Sequence, residues 1–437
     1  MLMQVEPLKI VEVDRYTRGV VGPSQPVQGP VSVGGRITSN TAPGCWGPMI
    51  TPHFKGGHEV TQPVAIDGAE VGDGVALRVK RVEVTSRVTA SGTMKMVDGR
   101  FVCDPFVDHV CGECGAMNPS TTLEGTGRDA VRCASCGAPA SSFEVPSGYT
   151  IAFDHEGQVG ITLTKERAEE LAGNAAEEMA LPGNAEQHPI SALALSDVTG
   201  VPSRLRPFLG NVGSTPARDL PDSHNAGDFG QFLIGADHEF SLTEEELAEA
   251  KTDGHMDVDS VREGAVLICP TKVAGAGIYI GDMHANQGDG EIAGHTTDVS
   301  GEAELEVAAV IKGLQNDGPI LLPPEEDLPF LAKPFTEREW SDILSLARSQ
   351  SQPEPEPVGP VQTIGSGADL NAATDNGLER MSALSGMDLG EVMNRVTIAG
   401  GVEIGRHPGV VTVTMTVPMS RLEDVGLAEL VRDQYGI

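Results

Sequence analysis

Two stretches of this 437-residue chain carry residue types that could do chemistry. The first is GDMHANQGDGEIAG, Gly281 to Gly294, with three carboxylates (Asp282, Asp289, Glu291), one histidine (His284), four glycines and no lysine or arginine. Acids crowded without a basic partner mark either a solvated turn or a site whose cation is not part of the polypeptide. A divalent metal would supply the missing charge. If AGIYIGDMHA is a strand, Asp282 and His284 lie two residues apart and project from one face. The glycines of NQGDGE then let the backbone turn tightly and bring Glu291 back towards them.

The second stretch is a cysteine array. CGECG and CASCG place Cys111, Cys114, Cys133 and Cys136 in a C-x2-C-x18-C-x2-C pattern, each pair followed by a glycine that permits a knuckle turn. Four thiolates at that spacing close a tetrahedral zinc site and leave no open position for water, so the expected role is a structural zinc. A rubredoxin-like iron centre is the chemical alternative. Cys45, Cys103 and Cys269 stand alone, and an odd total of seven argues against a secreted disulfide framework. Cys269, in the apolar VLICPT, reads as packing.

The elements that must position these residues are mostly short strands. PLKIVEV, GVALRVKRVEV and TSRVTAS alternate apolar and polar residues near the N-terminus. GAVLICPTKVAGAGIYIGD runs as strand and turn straight into the acid-rich loop, and GEAELEVAAVI follows it. Helices are expected over 164–180, with Thr164 as N-cap, over TEREWSDILSLARSQ, and over ADLNAATDNGLERMSALSG and DLGEVMNRVTIAGG, the last capped by Asp388. SQPEPEPVGPVQ has the composition of an extended linker.

The expected fold is mainly β, β-sandwich or jelly-roll-like, with an α+β C-terminal part and an inserted zinc-ribbon-like knuckle. The expected organisation is a β-rich N-terminal domain (1–102), the zinc-ribbon-like insertion (103–145) and a β-rich catalytic core (146–313). A proline-rich loop and linker (314–362) and a C-terminal helical segment (363–437) complete it.

Composition narrows the partners. With 63 acidic and 30 basic residues the formal charge is −33, which repels nucleic acid and anionic membrane surfaces. No apolar run approaches the roughly 20 residues of a membrane span, and no secretory leader is legible at the N-terminus. A cytoplasmic, soluble protein is expected.

GDMHANQGDGEIAG also resembles the G-D-x-H-x-x-Q-G-D-G-E-x-x-G signature of the acetamidase/formamidase family at every signature position. The resemblance extends through HEVTQPVAIDGAEVGDGVALRVKRVEV, RPFLGNVGSTPA, DGHMDVDSVREGAVLICP and the C-terminal ERMSALSGMDLGEVMNRVTIAGGVEIGR. His255 stands where the family usually has asparagine and Gln62 where it usually has glycine, and the cysteine-bearing insertion is atypical.

The resemblance implies hydrolysis of a small carboxamide to carboxylate and ammonia, with a divalent metal, by a homo-oligomer. Asp257, Asp282 and His284 are then the expected ligands of an active-site metal, zinc for preference, with His255 a fourth candidate. Glu291 is the expected general base, with His284 also counted as catalytic. Gln287, Asp289, His58 and His224 are the candidate substrate contacts. Hydrolysis of a cyclic amide on the same scaffold, or a non-catalytic protein using the cysteine knuckle for assembly, are the alternatives. The serine-amidase pattern of a Gly/Ser-rich nucleophile stretch with an upstream lysine is missing.

Overall fold

A computed structural model describes residues 8–44, 51–54, 57–93, 96–97, 100–101, 110–127, 129–140, 145–187, 194–222, 234–235, 240–250, 253–294, 296–407 and 409–437. The protein is mainly β with a helical C-terminal part. Thirteen strands form one large sheet. They are β1 (Leu8–Val13), β2 (Gln28–Thr41), β3 (Val64–Ile66), β4 (Gly74–Val84), β5 (Phe208–Ser214), β6 (Val266–Pro270) and β7 (Ile278–His284). The remainder are β8 (Asp298–Val299), β9 (Gly301–Ile311), β10 (Ile320–Leu322), β11 (Val358–Ser366), β12 (Gly400–Arg406) and β13 (Val410–Pro418). Their order is β5-β7-β3-β2-β9-β4-β6-β10-β11-β13-β12, with β1 beside β2 and β8 beside β7.

The hydrophobic pattern explains where each strand sits. In β9 the alternation GEAELEV gives a buried and half-buried alternation, and its glutamates pair outward, Glu304 with Arg36 and Glu302 with Arg81. By contrast β6 and β7 are buried along their whole length, β6 as a continuous apolar run covered on both faces and β7 with Asp282 and His284 among its buried residues. One core gathers Ile37, Leu77, Leu209, Leu267, Ile280 and Leu305, and a second gathers Val361, Val413, Met381 and Val431 under the C-terminal helices.

A separate four-stranded sheet, in the order Pro202–Arg204, Val159–Thr162, Ser147–Phe153, Val88–Thr93, lies beside the large one. The helix α1 (Lys165–Ala172) that packs with it is capped by Thr164, as its sequence predicts. The helix expected to continue to residue 180 stops there, and only a short second helix, Ala175–Glu178, follows. Gly173 and Asn174, both poor in a helix interior, account for the break.

Helix α2 (Glu337–Ser349) opens on a capping box between Thr336 and Glu339. Helices α3 (Leu370–Ser385) and α4 (Leu389–Ala399) start at Asp369 and Asp388, whose side chains accept from Ala372 and Glu391 amides.

The linker reading of SQPEPEPVGPVQ needs correction. Its second half is the start of β11, an interior strand paired with β13 over nine residue pairs from Val358 to Ser366. Pro360 is tolerated there because β10, on the other side, pairs only with Gln362 and Thr363, so that end of the strand is locally an edge. The 314–362 stretch therefore contains β10, α2 and part of β11 as well as proline-rich loop. The large sheet draws its strands from both halves of the chain, and its β5–β7 end carries the acid-rich motif.

Candidate active site

Three chain segments converge at the β5–β7 end. Segment 58–61 runs along β7, where the Thr61 amide donates to the Ile280 carbonyl. Segment 253–257 runs along β5, with the Met256 and Asp257 amides both directed at the Gly210 carbonyl. Strand β8 pairs with the end of β7 and sets Asp298 opposite His284. The side chains of His58, Asn211, Asp222, His255, Asp257, Asp282, His284, Glu291, Asp298 and Arg406 are all buried here.

The geometry centres on His284. Its Nδ1 lies 3.2 Å from Gln287 Oε1, while Gln287 Nε2 donates to the carbonyls of Asp257 (2.7 Å) and Gly405 (3.1 Å). With Nε2 of Gln287 spent as a donor, its Oε1 must accept, so His284 Nδ1 carries a hydrogen. His284 Nε2 faces Asp298 Oδ1 at 3.0 Å, Asp282 Oδ1 at 3.1 Å and Asp257 Oδ1 at 4.0 Å. The Phe208 ring, perpendicular to the imidazole with centroids 4.9 Å apart, closes another side.

Asp257 is also 2.9 Å from His255 Nε2 and 3.2 Å from Arg406 Nε. Asp282 Oδ2 lies 3.7 Å from His255 Nε2 and 4.0 Å from His58 Nε2.

Backbone strain is concentrated on the acids. Asp257 (φ +50°), Asp282 (φ +53°) and Glu291 (φ +45°) are all left-handed, a conformation that costs a non-glycine residue roughly 1–3 kcal/mol. The simple alternation expected along AGIYIGDMHA is thus interrupted at Asp282, although its carboxylate still meets the His284 ring. Two glycines make room. A Cβ on Gly44 would fall 1.5 Å from Asp282 Oδ1, and one on Gly210 would fall 2.5 Å from Asp257 Oδ1.

Electrostatics follow from burial and from this crowding. Burial, then Asp257, hold the Glu291 carboxyl well above the usual carboxylate range against the pull of His284 and Arg406. Burial opposes charge on His284, yet Asp282 and Asp298 outweigh it and hold the imidazole well above its ordinary value. Burial also works against ionisation of Asp282, but His284 and His58 together leave it below its usual range. His255 is kept neutral by burial and by Arg406 and His58.

Two sets of donor atoms are compact enough to hold a cation: Asp257, Asp282 and His284, and His58, His255 and Asp282, each within 4.8 Å. The residues fit a divalent metal. Oδ2 of Asp282 and both oxygens of Glu291 are buried without a hydrogen-bond partner among the described residues. Buried carboxylate oxygens in that state need a cation or a proton.

The structure brings together Asp257, Asp282, His284, His255, Glu291, Gln287 and His58 of the sequence-derived candidates. Asp289 is exposed, in the loop beyond Gln287 and outside the buried cluster. His224 lies outside the described residues, as do Cys45 and Cys103. Asp222, Asp298, Asn211, Arg406 and Gly44 were not legible as site residues. Asp298 reaches the site through the pairing of β8 with the end of β7. Arg406 had no signal in the sequence, since its approach depends on the far edge of the sheet, where Gly290 bridges to it and the His407 amide donates to the Gly290 carbonyl (2.7 Å).

The cysteine array forms its own cluster. Cys111 Sγ lies 3.6 Å from Cys136 Sγ and Cys114 Sγ 3.8 Å from Cys133 Sγ, and all four sulfurs fall within 4.8 Å of one another. The two knuckles match: Gly115 (φ +73°) and Gly137 (φ +75°) donate their amides to the carbonyls of Cys111 and Cys133. Backbone amides of Cys114 and Glu113 pull the Cys111 thiol down to about 7, whereas, against the Ala138 amide, burial and the neighbouring cysteine side chains push Cys136 up to about 12. Cys269 is buried packing, its thiol pushed up to about 12.

Comparison with known proteins decides the family. A family model described as "Acetamidase/Formamidase family" matches residues 32–423. The chain belongs to the acetamidase/formamidase family. It is accordingly an amidase, in agreement with the resemblance of its GDMHANQGDGE motif. Among solved structures, a predicted acetamidase/formamidase from Thermoanaerobacter tengcongensis shares the fold, with TM-score 0.52 and 16% identity, covering 96% of this chain and 98% of that one. An acetamidase from Yersinia enterocolitica is similar (TM-score 0.50, 15% identity, 96% and 94% coverage). A γ-lactamase from Delftia acidovorans is more distant (TM-score 0.40, 16% identity, 92% and 89% coverage). No curated protein sequence matches. Among the described residues no helix is long and apolar enough to cross a membrane.

Proposed function

We propose that this amidase is metal-dependent and hydrolyses the C–N bond of small aliphatic carboxamides of the formamide and acetamide type. The observation that carries the reading is the surround of His284 Nε2, with Asp298, Asp282 and Asp257 oxygens at 3.0, 3.1 and 4.0 Å and Nδ1 committed to Gln287. Asp257, Asp282 and His284 would hold the metal, zinc for preference, with His255 able to contribute. Such a cation polarises an amide carbonyl and lowers the pKa of water at the site.

The protein's own residues do the rest. Glu291, buried beside Asp257, would act in its ionised form, taking the proton from the attacking water and returning it to the departing nitrogen; its raised pKa makes that carboxylate the stronger proton acceptor. Gln287 and Asp298 hold the His284 ring, and Arg406 offsets part of the acid cluster's charge from 3.2 Å. Burial of Glu291, His284, Asp298 and Arg406 keeps bulk water from these groups, which strengthens their interactions.

The four cysteines would hold a second, structural zinc. The enzyme is proposed to act as a cytoplasmic homo-oligomer without nucleic-acid or membrane partners, which light scattering of the purified protein would test in part.

The test of the substrate class is ammonia release from formamide, acetamide, propionamide, a lactam and urea, with Glu291→Gln as control. Release from a linear amide that the control loses supports the reading. Release from the lactam alone would move the assignment to cyclic amides.

A further inference from the structure

A separate pocket of about 230 Å³ lies beside the acid-rich loop, with Asp259, Ser260, Asp289, Glu403 and Thr412 in its wall. It adjoins the buried cluster through Gln287, which holds His284 and donates to the carbonyls of Asp257 and Gly405. Asp289, Asp259 and Glu403 lie two positions from Gln287, Asp257 and Gly405 in turn.

Its charges do not cancel. Arg206 pairs with Asp259 and Asp327, and Arg262 pairs with Asp327 and Glu326. Asp289 and Glu403, which also line the pocket, make no ion pair among the described residues. Burial, then Asp289, Asp259 and Asp327, push the half-buried Glu403 carboxyl up to about 7, as acids crowded without a cation must.

Crowded acids alone are compatible with a solvated surface, but unsatisfied polar groups in the wall are not. Thr412 of β13 pairs opposite Glu403 of β12, so the two side chains share a face, and both line the pocket. Thr412 is only 3% exposed, and its Oγ1 has no hydrogen-bond partner among the described residues. Two residues on, the buried Thr414 Oγ1 is in the same state, as are both amide atoms of Gln362, which β11 sets opposite Thr414. Buried hydroxyls are almost always bonded, so a ligand in the pocket is the partner that Thr412 lacks.

The lining selects the ligand. Carboxylates and hydroxyls accept hydrogen bonds, and the excess of acids repels anions. Among the described residues, the pocket's carboxylates are not among the groups whose donor atoms lie within 4.8 Å of one another, which disfavours a chelated divalent metal. A cation that brings its own N–H donors suits acceptors spread around a small cavity.

We propose that this pocket binds an ammonium group through the carboxylates of Glu403 and Asp289 and the hydroxyl of Thr412. The group has two sources, which rest on the hydrolysis proposed above: ammonium released by the reaction, or an amine carried by the amide substrate. Asp289, outside the buried cluster, thereby becomes a contact for that group.

Binding is measured first, on full-length zinc-replete protein at about pH 8, where an alkylammonium is still charged and Glu403 is ionised. Saturation-transfer NMR is expected to show methylammonium bound and displaced by ammonium. Tetramethylammonium, which has the charge but no N–H donor, is expected to bind at least about tenfold more weakly. Glu403→Gln is expected to weaken methylammonium binding about tenfold, and Thr412→Val, which keeps the shape and loses the hydroxyl, about fivefold. Equal binding of the two alkylammonium ions, or methylammonium binding unchanged in either folded variant, overturns the proposal.

Turnover then separates the sources. Inhibition of acetamide hydrolysis by ammonium chloride but not potassium chloride, lost in Glu403→Gln, assigns the pocket to the product. A higher kcat/KM for 3-aminopropionamide than for the equally long butyramide, an excess lost in Glu403→Gln, assigns it to the substrate. Neither response overturns the proposal, even in protein that binds methylammonium. The binding measurement needs no turnover, so the lack of ammonia release from any linear amide would remove the small-amide reading without deciding it.

Discussion

His284 and Asp298 face each other across the short pairing of β7 with β8, Nε2 to Oδ1 at 3.0 Å, and both are fully buried. Asp298 thereby completes a ring of acids around a nitrogen whose partner across the imidazole is already bound by Gln287. A buried imidazole among carboxylates is either protonated or a metal ligand. The balance between those states is set by pH and by metal.

That balance makes the metal-free protein sensitive to alkali. Burial lowers the His284 pKa, but Asp282 and Asp298 raise it well above its ordinary value of about 6.5. A raised histidine contributes stability that is full below the unfolded value and is lost as pH rises through the folded one. Glu291, also raised, acts in the same direction, beginning at lower pH because carboxylates ordinarily titrate near 4.3. The thermal midpoint of the metal-free protein should therefore fall as pH rises from about 6, while zinc affinity increases and protons are released on binding. Thermal melts and calorimetry in two buffers check both; zinc affinity falling with pH would contradict the assignment of His284 as ligand.

Glu291→Gln keeps the volume of the side chain and removes its basicity. Turnover is expected to fall about 10²–10⁴-fold, the usual worth of a positioned acid–base group. Because Glu291 is not assigned as a ligand, zinc content and fold should be retained. Steady-state ammonia assays beside elemental analysis make the comparison, and near-normal turnover would remove Glu291 from the mechanism.

Gly44→Ala tests the cradle around Asp282. The added Cβ would sit 1.5 Å from Asp282 Oδ1 in a fully buried position, so the carboxylate must leave its place. Zinc affinity at the catalytic site should drop by at least the 10–100-fold typical of a disturbed ligand orientation, with activity falling in step. Gly210→Ala, 2.5 Å from Asp257 Oδ1, should act in the same way. Full zinc occupancy and activity in the folded Gly44 variant would contradict the placement of Asp282.

The cysteine cluster should behave independently. Cys133→Ser is expected to remove one zinc equivalent per chain and to loosen the hairpin of Thr121–Leu123 with Val131–Cys133, whose Val131 packs against Val88 and Leu171. Catalytic-site zinc should remain. Loss of both equivalents in a folded variant would show that the two centres are coupled.

How much of this was legible in the sequence depended on distance along the chain. The cysteine array could be read because four cysteines and their knuckle glycines lie within two short segments. Asp282, His284 and Glu291 could be read because one loop carries them, and Asp257 and His255 because of the segment's resemblance to a family motif. Asp222, Asp298 and Arg406 reach the buried cluster only through contacts distant in sequence: Asp298 through β8, Arg406 through the Gly290 bridge, and Asp222 through its contact with His58. Single-sequence patterns do not specify those pairings. The linker reading gave way only over residues 358–362, for a related reason, since proline and glycine composition suggested coil where pairing with β13 makes a buried strand. Gly44 is decisive through the side chain it lacks, which no pattern announces.

The central claim is that hydrolysis depends on a cation held by Asp257, Asp282 and His284. The most direct measurement is ammonia release from acetamide and formamide by protein stripped of that metal, then restored with zinc, with metal content determined on the same samples. The account predicts that release disappears while the four-cysteine equivalent is still bound, and returns as the second equivalent is refilled. Undiminished release from protein shown to lack that second equivalent would contradict it.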